Sequence, residues 1–174
     1  MIKDRMQLVK GDITQLQVDA IVNAANTALE SGGGVCGAIF EAAGAALPGA
    51  CASLGGCSVG HAKLTPAYEL PAHYIIHAVG PVWRGGAKGE PKLLASCYVA
   101  SLKLALEHQI KTIAFPAISC GIYGYPVSQA VTIAVNETAN FLELHPEIKM
   151  VLFVCQDEAV YEAYQQALDS LNHE

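Results

Sequence analysis

Residues 21–44 read Ile21-Val-Asn-Ala-Ala-Asn-Thr-Ala-Leu-Glu-Ser-Gly-Gly-Gly-Val-Cys-Gly-Ala-Ile-Phe-Glu-Ala-Ala-Gly44. The segment opens as a buried strand whose end carries Asn23 and Asn26. It passes through Gly32, Gly33 and Gly34 and enters an apolar-periodic run (Val35, Ala38, Ile39, Ala42) that predicts a helix. Strand, glycine loop and helix N-terminus together suit an anion. Glycines let the backbone approach a ligand closely, and the first helical turn offers free N–H groups and a partial positive charge. A diphosphate is the usual guest.

The spacing fits neither common phosphate loop. There is no G-x-x-x-x-G-K-[ST], and no G-x-G-x-x-G with an acidic residue roughly 20 positions on. Three glycines alone read equally well as a flexible surface turn. The neighbourhood decides between the two readings. Gly11-Asp12-Ile13-Thr14 stands just upstream, and a second glycine-bearing segment follows at Pro116-Ala-Ile-Ser-Cys-Gly-Ile-Tyr-Gly-Tyr-Pro126.

Around this stretch, strands are expected at 6–9, 20–23, 62–68, 73–78, 112–115 and 150–155. Helices are expected at 37–43, 50–54, 92–107, from Pro126 through Leu142, and 158–171, with Gly44 and Pro48 breaking the first two apart. Strands alternating with helices predict an α/β domain of three layers. The two strand–loop–helix units would then face each other across one crevice, where open sheets hold ligands.

At 174 residues the chain suffices for one domain with a full core, and its 52% hydrophobic content predicts a compact globule. A net charge of −6 argues against general nucleic-acid affinity, which rests on a basic face, but not against a phosphate held by backbone N–H groups. No secretory apolar region follows Met1 and no apolar run reaches the ~20 residues of a membrane span, so the expected location is cytoplasmic, away from membranes. The six cysteines form no C-x-x-C pair. Cys51, Cys57 and His61 are the nearest approach to a metal cluster, and no metal or cofactor is expected.

In order and over nearly the whole chain, these segments resemble the macrodomain family, specifically its MacroD-type branch and the bacterial O-acetyl-ADP-ribose deacetylases. The resemblance rests on Gly11–Thr14, Val18–Asn26, Gly32–Val35, Ile76-His-Ala-Val-Gly-Pro81 and Phe115–Pro126. It implies one macrodomain over 1–174, a three-layer α/β/α fold with a mixed, about six-stranded central sheet.

It also implies roles. Asp12, otherwise read as an N-cap or turn carboxylate, would accept from the adenine amino group, with Ile13 contributing backbone contact. Asn23 is kept as a loop brace, whereas Asn26, ten residues before Cys36, would orient the distal ribose. Gly33, Gly34 and Val35 would present N–H groups to the diphosphate, and a side chain at either glycine would block its passage. Ser119, Cys120, Gly121, Ile122 and Tyr123 would form the second phosphate loop, with the Tyr123 ring closing over the distal ribose. His77 reads as a satisfied core residue without a catalytic part.

The departures bear on activity. The branch motif is G-G-G-G-V-D-G-A-I-H, and here it reads Ser31-Gly-Gly-Gly-Val-Cys36-Gly-Ala-Ile-Phe40. A carboxylic acid of pKa ~3.9 is an anion at pH 7, whereas an ordinary thiol of pKa ~8.5 is mostly neutral. Cys36 therefore cannot replace the family's Asp as a base. Three readings remain: hydrolysis by another route, such as a ligand phosphate orienting the water; binding without turnover; or Cys36 as a nucleophile activated by the helix N-terminus. Cys120 replaces the family's usual Thr in a loop that contributes mainly backbone. Gln156, where many relatives carry an aromatic, would weaken stacking on the base.

The expectation is an ADP-ribose-binding macrodomain. The leading reading is a hydrolase of O-acetyl-ADP-ribose, or of mono-ADP-ribose esters on acidic side chains of modified proteins, acting through a positioned water with Asn26, Cys36 and Tyr123 at the reacting end. The alternative is a non-catalytic reader of ADP-ribose.

Overall fold

The computed structural model describes residues 1–171. Its elements run β1 (Met6–Lys10), β2 (Ala20–Ala25), α1 (Gly34–Ala43), α2 (Leu47–Ser53), β3 (Ala62–Pro66), β4 (Tyr74–Val79), α3 (Glu90–Glu107), β5 (Thr112–Phe115), α4 (Val127–Leu144), β6 (Met150–Cys155) and α5 (Glu158–Ser170). Short 3-10 turns at Ile2–Arg5 and Ile13–Gln15 were not anticipated.

The strands form one six-stranded sheet in the order β1-β6-β5-β2-β4-β3. All neighbours are parallel except β3, which runs antiparallel to β4 at the edge. The central strands are apolar on both faces, as a sheet covered on both sides requires. Alternation along β2 sends Ala20 and Val22 to the layer of α3, α4 and α5, and Ile21 and Ala25 to the layer of α1 and α2. The three-layer, mixed-sheet expectation holds. Among the described residues no single helix is long and apolar enough to cross a membrane.

Two features of this topology create the crevice. From β2 the chain leaves by α1 on one face, and from β5 it leaves by α4 on the other, so the two loops part at the switch point of the sheet. The β2–β5 pairing is also short, only Ala20↔Ile113 and Ile21↔Ala114. Beyond it the C-terminal ends of β2 and β5 separate.

Several boundaries shift from the sequence reading. The first helix begins at Gly34 rather than Gly37, because its opening residues take up helical hydrogen bonding despite their low propensity. Pro48 lies in the first turn of α2 instead of breaking the chain ahead of it, the position where its missing N–H costs least. β3 stops at Pro66, and Tyr68 turns away from the strand with φ 52°.

Candidate ligand crevice

A crevice of about 770 Å³ opens at the C-terminal ends of β1, β2, β5 and β6. The two loops flagged by their glycines line it together, with Asp12 and Ile13 from one end of the sheet, Asn26, Gly33, Gly34, Val35 and Cys36 from the first loop and α1, and Ser119 through Tyr123 from the second. The expected site residues are thus gathered at one place.

Gly33 is the N-cap of α1 with φ −87° and makes no side-chain cap bond. Gly34, the first helical residue, has φ +57°, a conformation that costs an ordinary residue about 1–2 kcal/mol. The N–H groups of the first turn have no acceptor within the helix and open on the crevice, the geometry that a backbone anion site requires. Opposite, Ile122 is 86% exposed. Its Cδ1 lies 3.3 Å from where a Cβ on Gly33 would stand, so the two loops approach each other across the middle of the crevice.

At one end, Asp12 has the turn-capping role that its sequence position offers. Its Oδ1 accepts from Thr14 N at 2.9 Å and Thr14 Oγ1 at 2.7 Å, capping the 3-10 turn. Its other oxygen takes no protein donor among the described contacts. Ile13 is buried beneath it. Gln156 and Val160 line the same end, and Val160 also packs against the core layer. Asp157 caps α5 by accepting from Ala159 N and Val160 N.

At the opposite end the brace falls to the other asparagine. Asn26, not Asn23, is the loop brace: its Nδ2 donates to Glu30 O at 2.8 Å and its Oδ1 accepts from Glu30 N at 3.0 Å. It still lines the crevice, with one N–H and one lone pair uncommitted. Asn23 is fully buried, and its Nδ2 donates to His77 Nδ1 at 3.1 Å and to Cys36 Sγ at 3.7 Å. The correction follows from register. Asn23 pairs with His77 across β2 and β4, which turns its amide toward α1 and α2 beneath the crevice.

Cys36 is 6% exposed and donates to Glu30 O at 3.6 Å. A polar chain therefore runs from the Glu30 carbonyl through Cys36 and Asn23 to His77, whose Nε2 meets Thr65 Oγ1 at 2.9 Å. Since the amide can only donate at Nδ1, the proton of neutral His77 sits on Nε2 and goes to Thr65. Burial lowers the His77 pKa to about 4, so it is neutral at pH 7. It is a core residue, as its sequence position implied.

In the second loop Ser119 is buried with φ +69°, held by Oγ donating to Pro81 O at 2.8 Å and by its carbonyl accepting from Tyr125 N at 2.9 Å. Its side chain is a brace, so the loop meets a guest through backbone. Burial pushes the Cys120 thiol up to about 11, and it is protonated at neutral pH. Tyr123 is half-buried on the crevice wall. No three His, Cys, Asp or Glu side chains among the described residues gather to hold a metal ion.

Two contributors escaped the sequence reading. Gly37 packs so tightly that a Cβ there would lie under 3.0 Å from the Gly32 carbonyl oxygen. Gly80 likewise leaves no room for a Cβ against Ser119 and Ile118. Neither glycine has a positive φ, so no turn signature marks them.

Comparison with known proteins places residues 22–134 in a match to the family model described as Macro domain. A macro domain-containing protein of Chlorobaculum tepidum is 58% identical over 160 residues, covering 92% of this chain and 93% of the relative. A protein of Cronobacter sakazakii named O-acetyl-ADP-ribose deacetylase is 50% identical over 168 residues, covering 94% and 93%. The Trypanosoma brucei macrodomain solved in complex with ADP-ribose superposes with a TM-score of 0.89 at 44% identity, over 94% of this chain and 69% of that one.

Proposed function

Because the chain belongs to the macro domain family, we propose that its crevice binds ADP-ribose and hydrolyses ADP-ribose esters, O-acetyl-ADP-ribose or ester-linked mono-ADP-ribose on acidic side chains. The observation that carries the binding is the pair of glycine loops meeting over the open N-terminus of α1. In this reading the adenine lies at the Asp12 and Val160 end, with the free Asp12 oxygen accepting from its amino group. The diphosphate takes the N–H groups of Gly34 and Val35 and those of the loop from Ser119 to Tyr123. The distal ribose lies against Asn26, Gly32 and Cys36, with Tyr123 over it.

Water then adds to the ester carbonyl and the bond to the ribose oxygen breaks, releasing the acid and ADP-ribose. Among the described residues lining that end, none supplies a side-chain base. The crevice carboxylates, Asp12 and Asp157, both belong to the opposite end, and Cys36 spends its proton on Glu30 O. A diphosphate oxygen of the substrate is left to orient the water, and turnover is slow. The same absence favours the second reading, a non-catalytic reader of ADP-ribose.

Calorimetric titration with ADP-ribose tests the binding. Turnover of O-acetyl-ADP-ribose and of a mono-ADP-ribosylated acidic protein separates enzyme from reader. Native protein should turn over slowly, and Cys36→Ala within about threefold of it, since no bond to the thiol is invoked. Cys36→Asp should be faster by about 10²-fold, the low end of the general-base range. Turnover seen only in Cys36→Asp makes the native chain a reader, and a loss of turnover in Cys36→Ala restores the nucleophile.

A further inference from the structure

We infer that Glu90, outside the crevice, is a positioning residue for the second loop, acting through the segment 81–88 and Trp83; the inference rests on the proposed binding of ADP-ribose. Glu90 opens α3 and is only 1% exposed. Its carboxylate accepts from Arg84 N at 2.8 Å, Gly86 N at 2.9 Å and Lys88 N at 2.7 Å. A buried charge is retained only where donors replace its water. Here burial pushes the carboxyl up, but the N–H groups of Gly86, Glu90, Arg84 and Lys88 outweigh it and hold the pKa at about 2. The carboxylate therefore organises three alternate residues of a glycine-rich loop that has no regular structure of its own.

From that loop the contacts lead to the crevice. Gly86, with φ +89°, lies against the indole of Trp83, so closely that a Cβ would come under 3.0 Å from the ring. Trp83 N donates to Tyr123 O at 2.8 Å, and its ring packs on Tyr125 with centroids 4.6 Å apart. Just upstream, Pro81 O accepts from Ser119 Oγ. The segment thus grips the second loop at Ser119, Tyr123 and Tyr125. That loop holds Ser119, a non-glycine residue, at φ +69°, a conformation that persists only with such outside support. Glu90 is the buried charge at the root of this grip. Releasing it loosens the Tyr123 end of the crevice while leaving the Asp12 end untouched.

AMP provides the discriminating ligand, since it carries the adenine and lacks the distal ribose. Glu90→Gln keeps the shape and removes the charge. It should raise the ADP-ribose Kd about tenfold, the loss of one charge-assisted set of bonds, while AMP binding stays within about twofold. Gly86→Ala, which leaves Glu90 in place but crowds Trp83, should do the same and guards against a folding defect in Glu90→Gln. Trp83 is the one tryptophan of the chain, so its emission and the amide exchange of Tyr123 to Tyr125 report the coupling without any ligand. Both should change in each variant. Equal weakening of AMP and ADP-ribose, or unchanged emission and exchange, overturns the inference. If the native protein binds no ADP-ribose, the reading of the crevice fails, and the ligand-free measurements alone decide whether Glu90 positions the loop.

Discussion

Gly37→Ala is expected to raise the ADP-ribose Kd about 10²-fold or more, although the substitution adds a better helix former inside α1. The intrinsic gain is about 1 kcal/mol at an interior helical site. Against it stands a contact with backbone: the new methyl would lie under 3.0 Å from Gly32 O. No rotamer relieves a Cβ, so the Gly32 peptide must move. It is held on one side by the strand end and the Asn26–Glu30 clasp, and on the other by α1 itself. Movement there re-aims the N–H groups of Gly34 and Val35, and displacements near 1 Å in a positioned site cost about 10²-fold. Gly33→Ala should be milder, because its Cβ would meet the end of the exposed Ile122 side chain at 3.3 Å, which can turn aside. Calorimetry with ADP-ribose, with thermal melts to confirm that the variant is folded, checks the pair. Gly37→Ala binding within threefold of native would mean that the loop does not transmit the overlap.

The contrast between Gly33 and Gly37 also marks how far residue patterns reach. A triple glycine before an apolar run announces a loop and a helix start, and the loop opening into α1 was legible in that way, whereas Asp12 and Ile122 were named through the family resemblance. Gly37 was not, because its requirement comes from the carbonyl of Gly32 packed against it, a distance that exists only after folding. The same holds for Asn23 and Asn26. Both read as strand-end amides, and only the pairing of Asn23 with His77 tells which is sunk into the core and which clasps the loop. Val160 shows the limit of periodicity. Its spacing with Tyr164 and Leu168 puts it on the inward face of α5, where it packs against the core, but in the first turn of that helix the same residue also lines the crevice. The layer order and six strands followed from alternation of elements. The antiparallel β3 did not, since a strand's direction depends on the course of the chain before and after it. Glu90 likewise lay outside the expected helix at 92–107, in a stretch marked only by its glycines and Pro91, and its three donors come from a loop folded back on it.

Acid should unsettle this fold at the floor of its crevice before it reaches the carboxylates. His77 is held neutral by burial, with a pKa of about 4 against an unfolded value of 6.5. The unfolded chain therefore binds the proton first. Stability is complete above about pH 6.5, falls as the pH drops through the window down to about 4, and loses about 3 kcal/mol there from this residue. Glu90 acts in a lower window. Its pKa of about 2 against 4.5 means that its contribution is lost only between those values. Protonation at His77 Nδ1 also sets a donor against the Asn23 amide donor. The amide must then turn its oxygen toward the imidazolium, an oxygen that has no partner in the neutral state, and withdraw its N–H from Cys36. The acid transition thus passes through the residue under the distal end of the crevice. Urea melts of the native chain and His77→Gln at intervals from pH 7 to 4.5 measure the effect. The variant should be less stable at pH 7, because Gln does not reproduce both ring contacts, but its stability should change less with pH than that of the native chain. Parallel pH profiles for the two proteins would show that His77 does not carry the window.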